Sequence, residues 1–167
     1  TSSLVGSEMC IRDRYETGLI KNRYIGSTFI RPTHQQRMQG MRVRLNAISS
    51  VVKDKSVYLV DDSVVKGFTS RRICQLLKEA GAKEVHLRIA SPMLKYPCLY
   101  GADSTTQKDL AAFNYSVDEM KQLFQVDSLR FISVEDFKKC VPETSCLACC
   151  TGEYPEELQD YKDEVKE

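Results

Sequence analysis

Two adjacent acidic residues, Asp61 and Asp62, follow a short apolar run and begin a polar loop that contains Gly67. Paired carboxylates at the end of a strand can hold the hydroxyls of a ribose, or a hydrated Mg²⁺ ion, which prefers a few carboxylates together with substrate phosphates. Ligands of open α/β sheets bind beyond the carboxyl ends of the strands. The pattern therefore predicts a site for a phosphorylated sugar, while the simpler alternative is a pair of aspartates that form a turn and cap a helix.

The loop after the acid pair has the features of a phosphate-binding loop. It leads into a predicted helix, whose N-terminal N–H groups and dipole favour an anion. Gly67 has no side chain to obstruct a ligand, and Thr69 adds a hydroxyl group that can donate to one. We expect phosphate contacts from the following consecutive residues: Ser63, Val64, Val65, Lys66, Gly67, Phe68 and Thr69.

The seven cysteines of the chain are a second chemical feature. Cys146 and Cys149 form a Cys-x-x-Cys pair, a spacing at which two thiolates can ligate zinc or an iron–sulfur cluster. The odd number of cysteines, and the lack of a signal-peptide pattern in residues 1–14, indicate a reducing compartment. We therefore expect a cytoplasmic protein rather than a disulfide-bonded secreted one.

The acid pair is positioned by a predicted strand–loop–helix–strand unit. Residues 56–60 form a short apolar run rich in β-branched residues, which predicts a buried strand. Apolar residues spaced at i, i+3, i+4 and i+7 predict a helix that is capped by Thr69 or Ser70 and is terminated by Gly81. Residues 84–89 then resume a strand pattern. A crossover of this kind implies two parallel strands.

Further elements are predicted on both sides of this unit. A capping-box pattern begins a helix over residues 116–124, a strand follows at 128–132, and a short helix begins at residue 133 and ends near 140. Residues 24–30 predict a strand. The stretch 31–46 is rich in Arg and Gln and predicts a long exposed loop, of the kind that is either a functional lid or disordered.

Composition indicates an ordinary globular domain of 167 residues, 42% hydrophobic and 28% charged. Lysine and arginine number 24 and the acidic residues 23, so the formal net charge is +1. This balance argues against a nucleic-acid-binding module that depends on bulk positive charge. No apolar run approaches the roughly 18 residues of a membrane-spanning helix. We therefore expect no nucleic-acid partner and no membrane partner.

The residues around the acid pair resemble a known family. Residues 57–70 resemble the phosphoribosyl-diphosphate signature of type I phosphoribosyltransferases. A wider similarity, from residue 15 to about residue 158, is to the glutamine phosphoribosyl-diphosphate amidotransferases. Its motifs lie at residues 21–26, 28–30, 81–86, 91–92, 96–98, 102–103 and 146–155. The cysteines followed by Gly-Glu-Tyr-Pro are specific to these enzymes among their relatives.

The resemblance implies an α/β fold, with a type I phosphoribosyltransferase-like parallel sheet and flanking helices that is incomplete on its N-terminal side. Residues 15–140 would be the partial phosphoribosyltransferase domain, and residues 141–167 a C-terminal cysteine-containing segment and tail. Residues 1–14 match nothing in the family and are interpreted as an unmatched leader, with a non-native origin as the open alternative. The family's glutaminase domain, with its N-terminal catalytic cysteine, has no counterpart here, so we expect no glutamine hydrolysis by this chain.

The resemblance also implies an enzyme, a glycosyltransferase that transfers a pentosyl group. Ammonia from a glutaminase domain would displace pyrophosphate from phosphoribosyl diphosphate and give 5-phosphoribosylamine, the first step of de novo purine biosynthesis. By position, Asp61 and Asp62 would be catalytic, contacting Mg²⁺ and the ribose hydroxyls and favouring a cationic transition state. Thr28 matches a magnesium position, and Arg37 and Arg42 lie in the family's flexible closing loop as candidates for the diphosphate. Purine nucleotide inhibitors and a homo-oligomeric full-length form are implied as well.

One branch of this family holds a 4Fe–4S cluster at the positions of Cys98, Cys146 and Cys149, with a fourth cysteine upstream of this chain. The alternatives are that Cys98 is an apolar residue of the core and that the Cys-x-x-Cys pair binds zinc. Thr28 alone would also suit a half-buried strand, and each loop arginine a solvated basic surface.

Three positions depart from the family pattern. Phe68 stands where a small or hydroxylated residue is more usual. Ser27 stands where the family usually has Arg. Lys66 stands where Arg is common, which keeps the charge but loses bidentate geometry.

Three other functions share part of the pattern. A salvage purine phosphoribosyltransferase would not need the Cys-x-x-Cys pair, and a non-catalytic phosphoribosyl-binding regulator would usually add a DNA-binding segment. A zinc-binding interaction module would contain zinc and neither iron nor sulfide.

Overall fold

A computed structural model of the chain describes residues 17–21, 45–100 and 106–155. The first two strands in these ranges, β1 (Leu19–Lys21) and β2 (Leu45–Ala47), form an antiparallel pair. Helix α1 (Ser49–Val52) follows directly and buries Val52 in the core.

The central sheet is parallel, as the crossover pattern predicts. It contains β3 (Ser56–Asp61), β4 (Glu84–Ile89) and β5 (Ser128–Phe131), in that order. Strands β3 and β4 pair over their full length, so that Asp61 at the carboxyl end of β3 lies opposite Ile89. The predicted strand–loop–helix–strand unit and the α/β class are therefore confirmed.

Helix α2 (Phe68–Glu79) joins β3 to β4 and packs against β4. Its apolar face buries Cys74 and Leu77 completely. The helix ends at Gly81 as predicted, with φ of +94° and the N–H of the next residue donating to the carbonyl of Leu77. This Schellman arrangement satisfies carbonyls that have no partner within the helix.

The predicted cap of this helix, Thr69 or Ser70, was wrong by two or three residues. The helix begins at Phe68, and Gly67, in the left-handed conformation, is its N-cap without a side-chain cap. Ser70 is therefore the third residue of the helix and not its cap, and its hydroxyl donates to the carboxylate of Asp61.

The C-terminal half adds further helices to the face of the sheet that α2 covers. A 3₁₀ turn (Gln107–Asp109) leads to α3 (Ala111–Asn114) and then to α4 (Val117–Phe124), which packs against α2 and β5. The capping box predicted for α4 is confirmed, because the Ser116 hydroxyl accepts from the Glu119 N–H while the Glu119 carboxylate accepts from the Ser116 N–H. Phe124 is fully buried between the layers.

The chain beyond β5 forms two short helices, α5 (Val134–Lys138) and α6 (Ala148–Thr151). Helix α5 is capped by Ser133, and both β5 and α5 end one or two residues before their predicted limits. None of the helices in the described part of the chain combines the length and apolarity needed to cross a bilayer.

Two sequence predictions about strands need correction. The run over residues 56–60 was predicted to be buried, but Tyr58 and Val60 are 59% and 49% exposed. They lie on the sheet face opposite the helices, where the Arg88 guanidinium is 5.3 Å from the centre of the Tyr58 ring. The stretch 31–46 was predicted to be a loop throughout, but its last two residues belong to β2. The rest of that stretch, and the predicted strand at 24–30, lie outside the described residues.

Asp127 joins helix α2 to the sheet, and its carboxylate should make stability depend on pH. One of its oxygens accepts from Lys78 Nζ at 2.6 Å and from the backbone N–H of Val85 at 2.7 Å. These two donors hold the pKa of Asp127 below its usual value. A lowered pKa in the folded state stabilises the fold above the unfolded-state pKa of roughly 4, and this contribution is lost as the pH falls through the folded-state pKa.

We expect Asp127→Asn to lower the free energy of unfolding at pH 7 by about 1 kcal/mol, because Asn keeps the acceptor and loses the charge. The difference between this variant and the parent should shrink steadily from pH 5 to pH 3. Urea unfolding at each pH measures it, with Glu143→Gln, at an exposed turn outside the helices, as a control of equal charge change. A difference that is the same at pH 3 and pH 7 would contradict the role of the charge.

Candidate functional site

The two acidic residues at the end of β3 occupy different environments. Asp61 is half-buried, and its Oδ2 accepts from the Ser70 hydroxyl at 3.0 Å. Burial raises the pKa of the Asp61 carboxyl above its usual value, the nearby charge of Asp62 acts in the same direction, and the hydrogen bond from Ser70 opposes both. Asp62 is exposed, and its Oδ1 accepts from the N–H of Ser63 at 2.6 Å. One carboxylate is therefore fixed by the helix, and the other is oriented while facing solvent.

The loop between β3 and α2 is anchored on both sides. Val64 is 2% exposed and fixes the start of the loop in the core. The carbonyl of Val65 accepts from the N–H of Ala111 at 2.8 Å. Gly67 has φ of +77°, and a Cβ placed on it would lie 2.9 Å from the ring of Phe124. The tight turn at Gly67 therefore needs glycine both for its backbone conformation and for its contact with the ring.

This turn leads the loop directly into the N-terminus of α2, where the helix dipole favours an anion. The acid pair, the loop and the helix start are thus brought to one end of the sheet, as predicted. Lys66 was expected to contact phosphate. In the structure its Nζ forms an ion pair with Asp109 Oδ2 at 3.2 Å. The predicted residues Thr28, Arg37 and Arg42 lie outside the described part of the chain.

Two residues of this site were missed by sequence reasoning. Ser70 was considered only as a helix cap, although a hydroxyl in the first turn after a strand-end acid is a signal that could have linked the two. Asp109 lies 43 residues from Lys66 and gives no local signal. Only the packing of the 3₁₀ turn beside the loop places it there.

The C-terminal cysteines lie where the chain after β4 meets α6. The carbonyl of Cys149 accepts from the N–H groups of Lys95 and Tyr96, both at 3.0 Å. The hydroxyl of Tyr154 donates to the carbonyl of Pro97. Gly152, with φ of +80°, packs against the Tyr96 ring so closely that a Cβ would lie 2.8 Å from it. These contacts bring Cys98 and Cys149 together from two separate segments.

The thiols in this region influence one another. Burial raises the pKa of Cys149 to about 11, and the charge of Cys98 and a hydrogen bond with it add to the effect. Burial also raises the pKa of Cys150, with a further contribution from Cys146. Among the residues that the structure describes, no group of three or more histidine, cysteine or acidic side chains is arranged to hold a metal ion. The magnesium and cluster ligand sets therefore stay predictions.

A wide groove of about 760 Å³ lies beside these cysteines, and we call it the C-terminal groove. Its lining includes Tyr100, Lys139, Cys146 and Tyr154 and none of residues 61–69. The groove and the acid pair are thus separate features of the described surface.

The parallel sheet, its strand-end acids and the loop at the start of α2 define a phosphoribosyltransferase-like α/β fold. No protein-family model matches the chain. Among curated proteins, the chain is 49% identical over 158 residues to the amidophosphoribosyltransferase of Bacillus subtilis, covering 90% of this chain and 33% of that protein. It is 48% identical over 145 residues to that of Methanocaldococcus jannaschii, covering 86% of this chain and 31% of that protein.

Solved structures agree with these similarities. A glutamine phosphoribosylpyrophosphate amidotransferase from Bacillus subtilis, complexed with ADP and GMP, superposes with a TM-score of 0.78 at 47% identity, covering 93% of this chain and 36% of that one. A solved allosteric regulatory enzyme of purine biosynthesis gives a TM-score of 0.79 at 45% identity, covering 97% of this chain and 36% of that one. The chain belongs to the amidophosphoribosyltransferase family, and it spans about a third of the length of these relatives.

Proposed function

We propose that the chain forms the phosphoribosyl-diphosphate-binding part of an amidophosphoribosyltransferase. The full enzyme would make 5-phosphoribosylamine from phosphoribosyl diphosphate and ammonia that a glutaminase domain releases from glutamine, as the first step of purine biosynthesis. The observation that carries this proposal is the acid pair at the end of β3, followed by a loop that is anchored at Val64 and Gly67 and leads into α2.

In this proposal the described residues have distinct tasks. Backbone N–H groups of the loop, from about Val65 to Thr69, would bind the 5-phosphate at the start of α2. Asp62, exposed and oriented by Ser63, would accept from a ribose hydroxyl. Asp61, held by Ser70, would complete the acidic surface beside the ribose. Negative charge placed there favours a cationic, oxocarbenium-like transition state at C1.

The residues present fit a magnesium ion, since carboxylate oxygens are the donors that it prefers. Asp61 and Asp62 would hold it, with Thr28 as a further candidate. When bound, the ion would neutralise charge on the diphosphate leaving group. Arg37 and Arg42 are proposed to contribute positive charge to the same diphosphate.

The partners and the compartment follow from the same proposal. Purine nucleotides are proposed as ligands of the full enzyme, supported by the Bacillus subtilis structure that contains ADP and GMP. A homo-oligomer is proposed for the full-length form. A cytoplasmic location is proposed because Cys74, Cys98 and the four described cysteines after them are all free thiols, which is usual in a reducing compartment.

Calorimetric titration of the chain with phosphoribosyl diphosphate tests the proposal. We expect binding that requires Mg²⁺ and that weakens strongly when EDTA is added. Ribose 5-phosphate should bind through the same loop with less dependence on the metal, because it lacks the diphosphate. Equal affinity for phosphoribosyl diphosphate with and without Mg²⁺ would contradict the role given to the acid pair.

A 4Fe–4S cluster held by Cys98, Cys146 and Cys149 is a second part of the proposal. The soft thiolates suit iron–sulfur chemistry, and the contacts of Cys149 with Lys95 and Tyr96 already hold the two segments together. A bound cluster would supply a structural cross-link between α6 and the chain after β4. The fourth ligand is expected from outside this chain.

Anaerobic reconstitution followed by iron and sulfide analysis tests the cluster. With an exogenous thiol added to supply the fourth ligand, we expect the parent chain and Cys140→Ser to retain iron and sulfide and Cys146→Ser to lose them. Cys140 is a matched control because it is also exposed, and its thiol donates only to the carbonyl of Asp136 among its described contacts. Zinc without sulfide in the parent chain would contradict the cluster.

A further inference from the structure

We infer that Lys66 and Asp109 form a clamp that fixes the phosphate-binding loop, with Asp109 as a positioning residue. The inference rests on the proposed function, because it assigns the ammonium of Lys66 to the loop's own conformation and leaves phosphate binding to the backbone. The first observation is the ion pair, 3.2 Å between Lys66 Nζ and Asp109 Oδ2, with side chains 38% and 47% exposed.

Two further contacts reach the loop from the same side. The N–H of Ala111 donates to the carbonyl of Val65 at 2.8 Å, immediately before Lys66. Gly67, immediately after it, lies against the Phe124 ring and the methyl group of Ala111, with distances of 2.9 Å and 3.6 Å from a Cβ built on it. Three consecutive loop residues are therefore held by one neighbouring region through a hydrogen bond, an ion pair and a packing contact.

The opposite charges of Lys66 and Asp109 explain why the lysine positions the loop instead of attracting the phosphate directly. An ammonium that is already paired with a carboxylate presents little net field to a phosphate, because the opposite charge a few ångströms away cancels most of it. A lysine side chain also has four rotatable bonds, and pairing with Asp109 restricts them. The pair thus contributes more to the position of the loop backbone than to direct attraction of the ligand.

The loop itself can be tested without any ligand. If the ion pair fixes the loop, Asp109→Asn should accelerate amide hydrogen exchange at residues 65–67, because the loop then opens more often. Exchange in β4 and the midpoint of thermal unfolding should stay unchanged. Lys139→Met is the matched control, since it removes an exposed ion pair with Asp136, 2.7 Å long, at α5. Exchange at residues 65–67 that is identical in Asp109→Asn and the parent would overturn the clamp.

Affinity for ribose 5-phosphate, measured by calorimetry, separates the clamp from a direct contact. We expect Asp109→Asn and Lys66→Met each to weaken binding by about two- to fivefold, the range of an exposed ion pair. Lys66→Arg should bind at least as well as the parent, because a guanidinium can pair with the carboxylate through two hydrogen bonds.

The reciprocal exchange, Lys66→Asp combined with Asp109→Lys, is decisive. The clamp predicts that the double variant binds ribose 5-phosphate more tightly than either Lys66→Met or Asp109→Asn, since an ion pair is restored. A direct contact between Lys66 and phosphate predicts binding far weaker than either single variant, because a carboxylate would replace the ammonium at the loop, and that result would overturn the inference. If the parent does not bind ribose 5-phosphate, the proposed function fails, and the exchange measurement still decides whether the clamp exists.

Discussion

Asp62→Asn is expected to weaken the Mg²⁺-dependent binding of phosphoribosyl diphosphate by about tenfold or more, the loss of one charge-assisted interaction of roughly 1.5–3 kcal/mol. Asn keeps the shape of the side chain and can still accept from the N–H of Ser63. The exposed carboxylate contributes little to packing, so the unfolding midpoint should change little. Calorimetry with and without Mg²⁺ measures the effect.

The control for this variant is Asp54→Asn. Asp54 is exposed at the opposite end of β3, and its φ of +61° is a conformation that Asn tolerates. It makes the same chemical change far from the acid pair, so binding should match the parent. If Asp62→Asn and Asp54→Asn bind phosphoribosyl diphosphate with equal affinity, Asp62 is not part of the site.

Gly67→Ala is expected to have the second large effect, on both stability and binding. A left-handed conformation costs an alanine about 1–2 kcal/mol, and the added methyl group would also press on the buried Phe124 ring, 2.9 Å away. Relief of that contact requires the loop or α4 to move. We therefore expect the free energy of unfolding to fall by about 2 kcal/mol or more, together with the loss of measurable phosphate binding.

Gly81→Ala, at the other end of α2, separates backbone strain from the contact with the ring. Its φ is +94°, but a Cβ there would meet Lys53 Cγ at 3.2 Å, which is part of a flexible side chain. This control should lower the free energy of unfolding by about 1–2 kcal/mol and leave the affinity for ribose 5-phosphate unchanged. Chemical denaturation and calorimetry measure both quantities. Binding lost equally in the two variants would mean that general destabilisation, not the loop, is responsible.

The elements around the acid pair were predictable because their signals are local. The apolar spacing in α2, the glycine at position 81 and the capping box at Ser116 each depend on residues within a few positions of one another. The strand-end position of Asp61 followed from the same local pattern. Strand β2, with only three residues at the end of a polar stretch, is too short to leave a periodic signal.

The features that were missed depend on contacts between distant residues. The start of α2 was misplaced because the helix begins after Gly67, whose left-handed turn against the distant Phe124 ring leaves no local capping signal. The exposure of Tyr58 depends on which face of the sheet the helices cover, and a short apolar run does not specify this. The ion pair of Lys66 depends on how the 3₁₀ turn packs beside the loop.

The most direct test of the account is an NMR titration of the isotope-labelled chain with phosphoribosyl diphosphate and Mg²⁺. We predict that the largest shifts of backbone amide resonances fall within residues 61–69, with smaller shifts at the neighbouring Ala111. The C-terminal groove, lined by Tyr100, Lys139 and Tyr154 among others, should not respond. Shifts confined to that groove, or no shifts in residues 61–69 at saturating ligand, would contradict the assignment of the acid pair and its loop as the phosphoribosyl site.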